Sequence, residues 1–153
     1  MNEALAEEYL ADAIASFRAY KKLTDKAIAQ ITDEELFVTL DEESNSIAVV
    51  MKHLAGNMIS RWTDFLTSDG EKPERNRDME FVMLPETTRE DMLAYWEKGW
   101  ACTFAAIEPL TADDLMWVVG FLKANGDLAR ATVDYDWLGR LYLRASNQTA
   151  DNK

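Results

Sequence analysis

Apolar positions recur at spacings of three and four along most of this chain, the period of a helix with one face on a core. Over residues 3–30, Leu10, Ile14, Phe17, Lys21 and Ile28 fall on or near one stripe, and Tyr20, Leu23 and Ala27 widen it. Glu3, Glu7 and Glu8 lie near the start of this first helix, where the helix dipole favours acids. Thr32 ahead of Asp33, Glu34 and Glu35 predicts a short capped turn. A polar connection over 38–45 leads to a second helix over 46–67, capped by Ser44 or Ser46. Its apolar members are Ile47, Val50, Met51, Leu54, Met58, Trp62, Phe65 and Leu66, with Gly70 just beyond as a C-terminal glycine.

Residues 68–86 break the pattern. Pro73 and Pro85 bracket them, and the alternating signs of Glu71, Lys72, Glu74, Arg75, Arg77 and Asp78 predict a solvated crossover. Arg75 and Arg77 are candidates for an anion site, but Glu74, Asp78 and Glu80 beside them favour internal pairing. Thr87-Thr88-Arg89-Glu90 predicts a capping box for the third helix, with Thr87 as the cap. Leu93, Trp96, Trp100, Phe104 and Ile107 follow at helical spacing until Pro109 ends the run. Thr111 to Asp114 open one short turn. The apolar run at 116–121 predicts an extended segment, and Asn125-Gly126 a turn. Asp127 then caps a last helix over 128–146, with Leu128, Ala131, Tyr135, Leu138 and Tyr142 on its stripe. The expectation is an all-α chain: one domain over 1–153, a four-helix bundle with a long crossover between its second and third helices.

Composition agrees with a packed domain, since 48% of the 153 residues are hydrophobic and the chain carries five Trp. The formal net charge of −12 argues against nucleic acid or an anionic membrane surface as partner. A single cysteine, Cys102, excludes an intramolecular disulfide. Its place between Trp100 and Phe104 reads as a buried structural thiol. The acidic first residues do not resemble a signal peptide, and no apolar run approaches the 18 residues of a membrane span, so a cytoplasmic protein is expected.

His53 is the one histidine, and a lone imidazole in mid-helix is more often a hydrogen-bonded structural residue than a metal ligand. Asn57 lies one turn on along the same face. The stretch from Ser46 to Phe81 carries this histidine, the Gly56-Asn57 and Arg61-Trp62 pairs, the Asp69-Gly70-Glu71-Lys72 loop and Arg75-Asn76-Arg77-Asp78. In these features it resembles the DinB-like superfamily, and within it a bacterial subgroup of unknown function. The capped third helix and the Leu110 to Leu115 turn extend the resemblance. It implies an up-down-down-up four-helix bundle, often a homodimer. It also implies a divalent metal held by three histidines, one at the position of His53 and two as a His-x3-His pair on the fourth helix. In some relatives that metal activates a thiol or water for transferase or hydrolase chemistry.

The fourth helix departs from that pattern, because it contains no histidine. Val133 and Trp137 fall near the two ligand positions, and neither binds a metal. Asp134 and Asp136 are about 200° apart on a helix, so both cannot face one ion. A site of His53, Asn57 and Asp134 is the remaining arrangement for Zn, Ni or Mn. Met51, Met58, Trp62, Trp96 and Trp100 line inward stripes, and read as core before ligand pocket or dimer interface. Two readings follow. The favoured one is a non-catalytic bundle with a degenerate metal site and no cofactor, acting as a dimer or by binding a partner or small apolar ligand. The other is a metal-dependent hydrolase or thiol transferase with a remodelled site around His53, Asp134 completing it, and Asn57, Trp62 and Trp96 around it.

Overall fold

The computed structural model describes residues 3–41, 43–66 and 72–115. The regular structure among them is helical, with no strand: α1 (Glu3–Ile28), α2 (Asp33–Phe37), α3 (Ile47–Trp62), the 3-10 turn Asp78–Phe81, α4 (Arg89–Ile107) and a last helical stretch over 112–115. The described part is all-α. The extended segment at 116–121, the turn at Asn125-Gly126, the last helix with Asp134, and Gly70 lie outside the described residues.

Local chemistry sets the helix ends. Thr32 and Glu35 form a reciprocal capping box on α2, each side chain reaching the other's backbone N–H. Ser46, rather than Ser44, caps α3 by accepting from Val49 N–H. The cap of α4 is one residue later than the sequence pattern predicts, on Thr88 instead of Thr87. Asp91 accounts for the shift: its carboxylate takes both the N–H and the hydroxyl of Thr88, at 3.0 and 2.7 Å, which Glu90 would have to do from the next position round the helix. The same device recurs where Asp114 accepts from the N–H and hydroxyl of Thr111, both at 2.8 Å. α3 ends earlier than the pattern suggests. Thr63 is its C-terminal cap, and Asp64 takes a left-handed φ of 50°, which stops the helix from continuing through Phe65 and Leu66.

α3 and α4 form the heart of the structure. Met51 and Ala55 meet Met92, Trp96 and Trp100 in one buried cluster, which Leu36 of α2 and Ile28 of α1 complete. Gly99 lets these two helices approach closely, since a Cβ there would lie 3.0 Å from the Cα of Ala55. Trp96, Trp100 and Phe104 run along α4 in edge-to-face and stacked contacts. α1 joins through polar bonds. Trp96 Nε1 donates to Asp25 at 3.1 Å, Lys21 bridges Asp25 and Glu97 at 2.6 and 2.7 Å, and Arg18 meets Glu108 at 2.6 Å. Burial disfavours the Lys21 ammonium, but its two carboxylate partners outweigh that and raise its pKa. Arg89 closes the joint by donating to the carbonyls of Ile28, the last residue of α1, and of Ile31 just beyond it.

Two expectations about burial change. Tyr20 and Leu23, read as widening the core stripe of α1, are 65% and 66% exposed. Ile47, Val50 and Leu54 of α3 are exposed as well, because α4 and the crossover take the other sides of that helix. No described helix is long and apolar enough to cross a membrane.

Candidate functional site

The one histidine is not alone. His53 Nδ1 lies 2.8 Å from Oε2 of Glu80, which the crossover brings back to α3 from 27 residues away. Arg75 holds the same carboxylate from the far side, with Nε on Oε1 at 2.8 Å and a terminal nitrogen on Oε2 at 3.0 Å. The side chains of Arg75 and Glu80 are only 6% and 8% exposed, and that of His53 is 25% exposed. The crossover is therefore not the fully solvated segment its charge pattern suggests: two of its charges are inside.

Three features of the chain produce this geometry. The 3-10 turn alternates Asp78, Met79, Glu80 and Phe81 so that Glu80 turns inward while its neighbours stay exposed. Lys52, on the turn of α3 beside His53, donates to the carbonyls of Met79 and Val82 at 2.8 and 2.6 Å and so fixes the end of that 3-10 turn. Gly56 leaves the space: a Cβ there would stand 2.8 Å from Cδ of Glu80 and 3.3 Å from the Tyr95 hydroxyl. Phe81 lies against the imidazole with ring centroids 4.8 Å apart.

Burial alone would push the Glu80 carboxyl up. The hydrogen bonds from Arg75 and His53, and the Arg75 charge, reverse this and hold it below the ordinary glutamate value. Tyr95 is shifted the other way, upward, by burial first and by the charge of Glu80 second, against an opposing effect of Arg75. The cluster is thus an ionised carboxylate with both oxygens engaged. The bond to Glu80 places the imidazole proton on Nδ1, so only Nε2 of His53 is left to accept or to ligate.

The other residues singled out in the sequence take different places. Asn57 is half-buried but makes no hydrogen bond to His53 among the described residues. Trp96 is 3% exposed and spends its N–H on Asp25, which makes it core. Trp62 packs edge-on to Phe17 and Phe65. Cys102 is half-buried, with Sγ 3.3 Å from the Thr63 hydroxyl. Asp134 lies outside the described residues. Glu80 as the partner of His53, and Tyr95 beside it, are the residues that sequence reasoning missed. The signal was Gly56: a glycine inside a helical pattern marks a close approach.

Glu80 has no free oxygen for an ion, and among the described residues no three His, Cys, Asp or Glu side chains are grouped to hold one. The described residues do not fit a three-ligand site.

The family model described as "Protein of unknown function (DUF1572)" matches residues 4–131. The chain belongs to that family, and the match takes in α1 from its second residue, α2 to α4 and the His53–Glu80–Arg75 cluster. No curated protein matches the chain, and no solved structure does.

Proposed function

We propose that this member of a family of unknown function is a non-catalytic, DinB-like four-helix bundle that acts through its surfaces, as a dimer or by binding a partner or a small apolar ligand. The observation that carries this reading is the engagement of His53. Its Nδ1 is bound to a carboxylate that Arg75 already holds on both oxygens. A histidine in that setting clasps the crossover to α3. The protein works in the cytoplasm, without nucleic acid, membrane or cofactor.

One observation favours the second reading, a metal-dependent hydrolase or thiol transferase. Metal-ligating histidines commonly give their other N–H to a carboxylate, as His53 gives Nδ1–H to Glu80. Nε2 would then be one ligand to Zn, Ni or Mn, with Asp134 as another.

Calorimetric titration of the untagged chain with Zn²⁺, Ni²⁺ and Mn²⁺, repeated on His53→Ala, separates the two. The clasp reading expects no stoichiometric binding, together with a loss of stability in His53→Ala. Binding at about micromolar or tighter that disappears in His53→Ala sinks the clasp reading and supports the enzyme.

A further inference from the structure

Between α1 and α4 lies an open groove of about 380 Å³, at the low end of the volumes that small ligands occupy. Phe104 of α4 is its half-buried aromatic floor, and Ala29, just past the end of α1, adds a methyl group. The rest of the lining comes from two rows of α1. Lys21 and Asp25 stand on the inner row and spend their charges within the chain. Lys21 serves Asp25 and Glu97, while Asp25 takes Lys21 on one oxygen and the indole N–H of Trp96 on the other. Arg18, Lys22 and Lys26 make the outer row at spacings of four, so they follow one another along one face of the helix.

This outer row runs against both the helix and the chain. Like charges four apart on a helix repel. Acids also outnumber bases here by 28 to 16. The helix dipole favours a base in the last turn, which accounts for Lys26 and not for Arg18 or Lys22. Arg18 reaches Glu108, but Lys22 and Lys26 form no ion pair among the described residues. Two neighbouring ammonium groups are thus left beside an aromatic floor in a chain of net charge −12. Beneath that floor Trp100 stacks on Phe104 with ring centroids 5.5 Å apart. Its indole N–H is buried with no acceptor among the described residues, unlike that of Trp96 one turn earlier.

We propose that this groove binds a small aromatic anion, a ring system carrying one carboxylate or phosphate group. The ring lies on Phe104, flanked by the aliphatic stems of Lys21 and Lys22. The acidic group sits between Lys22 and Lys26, whose ammonium groups are one helical turn apart and reach the same anion as point charges. A neutral ring would leave both ammonium groups without a counter-charge, and a cation would be repelled. The acidity of the rest of the chain repels a polyanion, which leaves a small molecule as the occupant.

This assignment rests on the chain being a binding module, and names the class of ligand. The two fail separately: metal binding through His53 in a chain that still takes an aromatic anion overturns the module reading, and a metal-free chain that takes none overturns this one.

The test is calorimetric titration of the full untagged chain with 1-naphthoate, 1-naphthyl phosphate, the neutral 1-naphthalenemethanol and inorganic phosphate. The expected result is one aryl anion per chain with a Kd below about 1 mM, and binding of the alcohol and of inorganic phosphate at least about tenfold weaker. The tighter of the two aryl anions identifies the acidic group. Lys22→Gln combined with Lys26→Gln weakens the aryl anions by about tenfold or more and leaves the alcohol unchanged. Both lysines are exposed, and circular dichroism checks that the helices of the variant persist. The indole N–H resonance of Trp100, assigned by its loss in Trp100→Phe, shifts with the same midpoint. No aryl anion bound at up to about 5 mM would overturn the proposal, as would an affinity indifferent to the two lysines. Equal binding of the alcohol overturns the role of the charge, and equal binding of inorganic phosphate overturns the role of the ring. Binding that leaves the Trp100 resonance unmoved overturns the location, because the ligand then occupies another face.

Discussion

The carboxylate of Glu80 rests on Gly56: a Cβ added at that glycine would stand 2.8 Å from Cδ of the acid. A glycine in mid-helix costs about 1 kcal/mol relative to alanine. Gly56→Ala would gain that helix propensity, yet the net effect expected is a loss. A free glutamate would swing aside cheaply, but this one is pinned by Arg75 and His53. Overpacking here is expected to cost about 1–3 kcal/mol before the propensity gain. Urea unfolding of Gly56→Ala checks the sign, and an increase in stability would show that the clasp yields freely.

Arg75 and Glu80 form a buried ion pair, so removing one partner should hurt far more than removing both. Arg75→Met or Glu80→Met alone leaves a buried charge without its counter-charge, an expected loss of about 3–5 kcal/mol. The double replacement by methionine should recover most of that. A double-mutant cycle by denaturant unfolding measures the coupling, and additive single effects would contradict the pairing.

The same carboxylate sets an acid limb. The folded-state pKa of Glu80 is depressed below the ordinary value near 4.5. Its contribution to stability is therefore complete above that value and is lost as pH falls through the lower, folded-state pKa. Glu35 and Asp91, exposed cap carboxylates, are lowered too, mainly by the backbone N–H groups of Thr32 and Thr88. Comparing the natural chain with Glu80→Gln isolates the buried group: the variant should be less stable at pH 7 and lose less between pH 5 and 3. Parallel curves would mean that folding leaves the Glu80 pKa where it stands in the unfolded chain.

Arg89 should matter more than a surface arginine does. Its guanidinium donates to the Ile28 carbonyl at 2.6 Å and to the Ile31 carbonyl at 3.1 Å. Arg89→Ala is expected to cost about 1.5–3 kcal/mol, the range for bonds to charged donors. Arg89→Lys should recover only part of this, because one ammonium does not reproduce the fork. Thermal unfolding of the three proteins gives the order.

The helices were legible because each carries a local signal: the three-and-four spacing, the Thr32 box, the Pro109 stop. The bounds of α3 were less so. Ile47, Val50 and Leu54 have the spacing of core residues, yet only the neighbours available to a face decide whether it is buried. The all-α class of the described residues followed from the pattern. The site was half legible. His53, Gly56 and the pairing of crossover arginines with crossover acids could be read from the chain. That Glu80 reaches His53 could not, because the chain returns over those 27 positions by a 3-10 turn too short to leave a periodic signal. Tyr95 was hidden for the opposite reason: a tyrosine on a helix stripe looks like core wherever it points.

α1 differs from α3 and α4 in how it is held. Beside Ile28 in the core and Phe17 against Trp62, its described links to the rest are polar bonds, from Lys21, Asp25, Arg18 and the carbonyl of Ile28, whereas α3 and α4 interlock through Ala55, Gly99, Met92 and Trp96. Bonds of that kind open one at a time, and packed side chains open together. Amide hydrogens of α1 should therefore exchange with deuterium through a partial unfolding that leaves those of α3 and α4 protected, so the first helix would come and go on a frame that stays folded.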